Sequence, residues 1–369
     1  MNKIKIMNSE LEKLQLQLIS FLRFPLIVAV VLIHSNPEDV VFNGQFVVTN
    51  YNLSVYETVR YFISEILARL AVPAFFFISG FLFFRKTDCF NLSTYVQKLK
   101  KRGRSLLLPY LFWNLVVVLL FYLAQTFLEG LLSGNNLSVA DYTWNNWLQA
   151  FWVGNSGKHM PINYPLWFIR DLIVVVIFSP IIYWGIKRLQ PLFILLLGVL
   201  WFFNFGIDVT GFSTGSFFFF SYGAYWGINK INFVGNYNRF FPYSLWVYII
   251  LAVCNLFFRN YDWCIYIHKV GILVGLSMLI SLAAYCLKKH ICKVNTNLAN
   301  SSFFIYAYHG MPLALVIKLL VKVICPQTNM SLILLYFICP IITIVLGLGI
   351  YKVLIKYLPK FTALVTGGR

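Results

Sequence analysis

The sequence predicts an all-α integral membrane protein of about ten transmembrane helices, with both termini in the cytoplasm. Three observations carry this. First, 60% of the 369 residues are hydrophobic and only 11% are charged, where soluble domains carry about 25% charged residues. Second, ten apolar stretches lie near the length a bilayer requires, about 17 to 25 residues. They are 18–35, 63–84, 106–128, 166–186, 191–206, 213–228, 244–258, 266–287, 299–321 and 331–351; the fifth to seventh are the shortest. Third, with the N-terminus inside, 21 Lys and Arg fall in inner segments and four in outer loops. That asymmetry sets orientation and supports an even number of spans.

Other classes fall away on the same evidence. The net charge of +18 is spread over alternate loops rather than gathered in one patch, so a nucleic-acid partner is rejected. The seven cysteines show neither CxxC nor metal-ligand spacing and read as apolar fillers of helices. The N-terminal MNKIKIMNSELEKLQLQLIS carries both signs of charge and no cleavage site follows the first apolar run, so a cleaved signal peptide is not expected. The expected domains are a cytoplasmic tail over 1–17, a transmembrane domain over 18–355 and a second cytoplasmic tail over 356–369.

Five cations, Arg23, Arg69, Arg170, Lys269 and Lys318, fall inside spans. Intramembrane ionisable groups are costly and read as functional by default. The first span is the most informative, FLRFPLIVAVVLIHS from Phe21 to Ser35. His34 lies eleven positions after Arg23. At about 100° per residue that is three turns plus roughly 20°, so the two share a helix face, roughly 16 Å apart in depth. Arg23 belongs near the inner surface and His34 near the outer one.

The second span runs back inward. Its outer end carries Glu65 and Arg69, spaced to pair at i,i+4. Its inner end reads VPAFFFISGFLFF, with Ser79-Gly80-Phe81. The segment 85–105 ends KLKKRGRS with Arg102 and Arg104, and reads either as positive-inside topology or as a clamp for a phosphate-rich ligand. The fourth span opens PLWFIRDL with Trp167, Arg170 and Asp171, and the ninth contains SSFFIYAYHG ending in His309-Gly310. The aromatic side chains of 129–165 suit the membrane interface or the stacking of sugar rings.

In order and spacing, Arg23 with His34, Ser79-Gly80-Phe81, RSLLLPYLFW with Pro109 and Tyr110 after the basic stretch, PLWFIRDL and SSFFIYAYHG together resemble acyltransferase family 3, membrane proteins that O-acylate bacterial surface glycans. The resemblance runs from about residue 18 to 355. It implies a multi-pass protein of the bacterial cytoplasmic membrane. It also implies acyl-CoA as cytoplasmic co-substrate, acetyl-CoA foremost, with no bound cofactor and no metal. The acceptor is a hydroxyl of a surface or lipid-linked glycan on the outer side. Carried over, the arginine and histidine required in the family are Arg23 and His34, and the implicated serine is Ser79. The expected catalytic residues are His34 and Arg23. Donor binding is expected at Arg23, Ser79, Arg102 and Arg104, and acceptor binding at Arg69, Trp167, Arg170 and His309. A histidine within reach of an alcohol is the ordinary means of making it nucleophilic; an acyl-histidine intermediate is the other route. The competing function is a transporter of a lipid-linked glycan, which the lack of paired broken helices in two related halves disfavours.

Overall fold

The computed structural model describes residues 2–42, 45–49, 52–127, 137–154 and 159–368. Parts of the two expected outer loops, 36–62 and 129–165, lie outside the described residues, as do both terminal residues. The described residues are mostly helical; the extended pairings among them are a two-residue hairpin, β1 (Val41–Phe42) against β2 (Gln45–Phe46), and a single bridge between Val209 and Phe212.

The helices are α1 (Asn2–Ile33), α2 (Ser54–Phe84), α3 (Leu92–Phe127), α4 (Trp144–Trp152), α5 (Trp167–Ile177), α6 (Ser179–Leu189), α7 (Pro191–Phe202) and α8 (Thr214–Ile228). They continue with α9 (Phe233–Asn238), α10 (Phe241–Phe257), α11 (Cys264–Lys288), α12 (Thr296–Tyr308), α13 (Gly310–Ile324), α14 (Asn329–Tyr357) and α15 (Pro359–Val365). Each of the ten predicted stretches coincides with helix. Among the described residues, five helices are long and apolar enough to cross a membrane, or up to seven if each of two bent pairs is one crossing. This is a multi-pass membrane protein.

The departures from ten full spans have local causes. The pair α5–α6 bends by 61° and α12–α13 by 71°. Pro180 stands just after the first bend and Pro312 just after the second. A proline inside a helix removes one hydrogen bond and clashes with the carbonyl four residues back; those carbonyls belong to Val176 and Tyr308. Helix α7 has 12 residues, about 18 Å of rise against a hydrocarbon core of about 30 Å. It stops just before Asn204, which takes a positive φ of 56°. The basic segment before the third span is itself helical. Asn91 caps it by accepting from the Thr94 backbone N–H at 2.9 Å, and the helix runs on into the apolar stretch through a widened π turn at Gly103–Leu107.

Helix α1 is the hub. It packs against α2, α9, α11, α12 and α14, and Leu18, Ile19, Leu22, Leu26, Ile27, Val30 and Val31 are buried in the one large core. The most extensive pairing elsewhere joins the second half of α2 to α8. Glycine makes it possible. A Cβ at Gly80 would stand 1.9 Å from the Phe220 carbonyl oxygen, and one at Gly223 would stand 1.8 Å from that of Phe77. Backbones approach this closely only where side chains are absent, a common device between membrane helices. Lys269, buried in α11, caps the C-terminal end of α7: its Nζ donates to the carbonyls of Trp201 (2.8 Å) and Phe202 (2.9 Å) and to Asn204 Oδ1 (2.6 Å). Free carbonyls at a helix end favour a cation there.

Candidate active site

Two groups of the expected site residues gather on α1, one at each end of its apolar stripe, called inner and outer after the orientation expected from the loop charges. The inner group lines a cavity of about 170 Å³. Arg23 and Ile27 come from α1, Phe75 and Ser79 from α2, Arg102 from α3, Phe168 from α5, and Asn300, Ser302 and Tyr306 from α12. Three of the four expected donor-binding residues therefore meet. Arg102 also sits over the ring of Phe83, 5.6 Å from its centroid, with the Lys98 ammonium at 4.8 Å. Phe83 is one turn beyond Ser79, so α3 brings its cations to the same stretch of α2. Arg104, the fourth, is exposed and is not among the lining residues.

Within Ser79-Gly80-Phe81 the two small residues do different work. Ser79 faces the cavity while Gly80 meets the α8 backbone. Successive helical residues point about 100° apart, so one tripeptide serves both.

The outer group forms where α1 ends. The His34 ring stacks on His309 at 5.5 Å between centroids, with 28° between planes, and meets Tyr164 edge-on at 4.8 Å. His309 occupies the break between α12 and α13 and is wholly buried. Its Nδ1 lies 2.7 Å from the Tyr306 carbonyl oxygen and 3.3 Å from that of Ile305. Carbonyl oxygens only accept, so Nδ1 carries the hydrogen and Nε2 keeps its lone pair. That Nε2 is buried and has no hydrogen-bond partner among the described residues. A buried acceptor left open is costly, and here it lies in a ring stacked on His34.

The two downstream motifs prove to be one structure. The Tyr306 hydroxyl donates to the Pro165 carbonyl oxygen, and Asn163 Nδ2 donates to Ala307 O at 3.0 Å. A Cβ on Gly310 would come within 3.1 Å of the Pro165 ring. This seam holds Tyr164 against His34. Tyr306 also lines the inner cavity, three residues before His309, so the cavity extends from the Arg23 end toward the histidines.

The remaining expected acceptor residues are placed differently. Arg69 pairs with Glu65 as the spacing suggested, donating through Nε at 2.9 Å and Nη2 at 2.6 Å, and lies within electrostatic reach of His34. Arg170 is buried and committed: Nε and Nη2 donate to Asp171 Oδ1, and Nη1 to the carbonyls of Trp152 (2.6 Å) and His159 (3.0 Å). It pins the segment after α4 to α5. Trp167 is half-buried against the main core, while its neighbours Phe168 and Ile169 line the inner cavity. The sequence did not assign Tyr306, Asn300 or Ser302 to the site, and offered Tyr164 only as one of the aromatic side chains of 129–165. Tyr306 and Ser302 lie inside SSFFIYAYHG and Tyr164 one residue before PLWFIRDL, but nothing in the spacing said that these motifs touch. No cluster of three or more metal-ligating side chains occurs among the described residues.

A family model described as an acyltransferase domain matches residues 17–352. The chain belongs to acyltransferase family 3. The match takes in both groups on α1 and every helix packed on them, and it turns the reading away from a transporter. Among curated proteins, the succinoglycan biosynthesis protein ExoH of Rhizobium meliloti (strain 1021) is 27% identical over 365 residues, 95% of this chain and 92% of that one. No solved structure matches.

Proposed function

We propose that this acyltransferase moves an acyl group, acetyl foremost, from cytoplasmic acyl-CoA to a hydroxyl of a surface glycan outside the bacterial cytoplasmic membrane. The observation that carries the reading is the division of α1: Arg23 opens into a cavity shared with Arg102 and Ser79, and His34 abuts His309 and Tyr164 at the other end. The glycan acceptor is supported by the likeness to a protein of succinoglycan biosynthesis.

The cations of α3, with Arg102 closest in, attract the phosphates of CoA. The pantetheine arm lies along the cavity past Arg23 and Ser79 and carries the thioester from that level toward His34. His34 accepts the proton of the acceptor hydroxyl as the oxygen attacks the thioester carbonyl. The C–O bond forms, the C–S bond breaks, and the departing CoA thiolate takes up the proton. His309, with Nδ1 occupied, offers its Nε2 lone pair to a neighbouring hydroxyl of the acceptor sugar and so orients the attacking one beside His34. The N-terminus lies inside, so the donor end of α1 is cytoplasmic.

The test uses purified protein in nanodiscs with acyl-labelled acetyl-CoA and, in parallel, succinyl-CoA, presented with an envelope glycan extract. Label should pass to glycan with wild type and not with His34→Ala. Absence of donor binding and turnover with every acyl-CoA would overturn the reading.

A further inference from the structure

A second polar cavity, of about 330 Å³, opens beside the outer histidines and has no part in the chemistry above. It is lined by Tyr61 and Glu65 of α2, Asn255 of α10, Arg259 and Asp262 of the connecting turn, and His268 of α11. Its volume is at the lower end of the range for small-molecule sites, about 300–1,000 Å³.

Its position follows from an irregular segment. Tyr61–Leu67 is a π-helix and Ala68–Leu70 a 3₁₀ turn. Such widened turns inside α-helices occur frequently at functional sites. Ser64 ties this segment to the last turn of α1, its Oγ lying 3.0 Å from Leu32 O and 2.8 Å from the Tyr336 hydroxyl. Glu65 therefore faces the cavity from a segment fastened two residues before His34. Its partner Arg69 lies within electrostatic reach of both His34 and His268.

The lining is preorganised. The Tyr61 hydroxyl donates to Asn255 Oδ1 at 3.0 Å, and Asn255 Nδ2 lies 3.1 Å from His268 Nδ1. The amide nitrogen can only donate, so His268 carries its hydrogen on Nε2. Arg259 stacks over Tyr61 at 5.4 Å. Both Arg69 bonds fall on one Glu65 oxygen, Oε2. The cavity thus presents donors at Arg259 and His268 and acceptors at Glu65 and Asp262, with the Tyr61 ring as a wall. Alternating donors and acceptors of cancelling charge suit a neutral polyhydroxyl ligand. An anion would meet two carboxylates, and an acyl chain would strand the polar lining.

We propose that this cavity is a distal subsite holding a neutral sugar residue of the acceptor glycan, away from the residue that is acylated. The proposal rests on the glycan-acyltransferase reading and names where the acceptor is gripped.

The experiment compares two acceptors on the full-length protein in nanodiscs: neutral oligosaccharides cut from the surface polysaccharide of the producing cells, and the acylated sugar as a free monosaccharide. Arg259→Ala and Asp262→Ala should raise KM for the oligosaccharide about tenfold. They should leave KM for the monosaccharide and for acyl-CoA unchanged. Equal effects on both acceptors, or none on either, would overturn the subsite. Arg259→Lys and Asp262→Asn stand in if the alanine variants are not monodisperse. Equilibrium binding of labelled oligosaccharide without acyl-CoA separates the two claims. Binding that is lost in the variants, from a protein that transfers nothing, would sustain the sugar site and sink the enzyme reading; no binding by a wild type that does transfer would sink the site alone.

Discussion

The two ends of α1 are built on opposite plans. The inner end is open and cationic: Arg23 and Arg102 share a cavity with room left over, and Lys98 and Arg102 stack on Phe83 rather than on carboxylates. The outer end is aromatic, two imidazoles and a phenol with ring centroids 4.8 and 5.5 Å apart, and one imidazole nitrogen there has no hydrogen-bond partner among the described residues. An open cationic site suits a large anionic ligand that comes and goes. A close aromatic site with one free lone pair suits the handling of a single proton. On the proposed reading, recognition and proton transfer are separated along one helix.

Substitutions should respect that separation, so they can break it. His34→Ala should remove transfer by a factor of about 10² to 10⁴, the usual worth of general acid–base catalysis, while donor binding and membrane insertion persist. A well-expressed variant with full activity would remove His34 from the chemistry. His309→Gln should lower kcat about a hundredfold without altering KM for acyl-CoA; a rise in donor KM instead would place His309 on the donor side. Gly80→Ala should reduce the yield of folded protein sharply, because its new Cβ would collide with the Phe220 carbonyl, whereas Ser79→Ala should fold normally and act on the donor; thermal unfolding in detergent distinguishes the two. Arg23→Lys keeps the charge but loses the planar fork, and should raise donor KM about tenfold. The smallest effect is expected for Arg104→Ala, whose donor KM should stay close to wild type while Arg102→Ala raises it. Equal effects at the two arginines would show that the clamp extends beyond the cavity.

Much of this was legible from residue order. Arg23 and His34 could be placed on one face because helical geometry needs only their spacing. Glu65 and Arg69 could be paired for the same reason, and their bond is present. What spacing cannot reveal is contact between distant segments. The fold joins PLWFIRDL to SSFFIYAYHG through Tyr306 and Pro165, 141 positions apart, and only that seam explains why Tyr164 reaches His34. Arg170 was expected at the acceptor because, beyond the neighbouring Asp171, its partners are the carbonyls of Trp152 and His159, backbone groups that carry no sequence signal. Span lengths were partly hidden as well. An apolar run continues through Tyr308, His309 and Gly310, yet the helix turns by 71° there and sets the histidine at the corner.

The most direct measurement reconstitutes the protein in one orientation in sealed liposomes, with labelled acetyl-CoA on the side of the termini and an oligosaccharide acceptor on the other. If α1 links an inner donor cavity to an outer acceptor site, label will appear on the oligosaccharide across the bilayer, and will cease to appear with His34→Ala. Transfer that occurs only when donor and acceptor share one compartment would contradict the account.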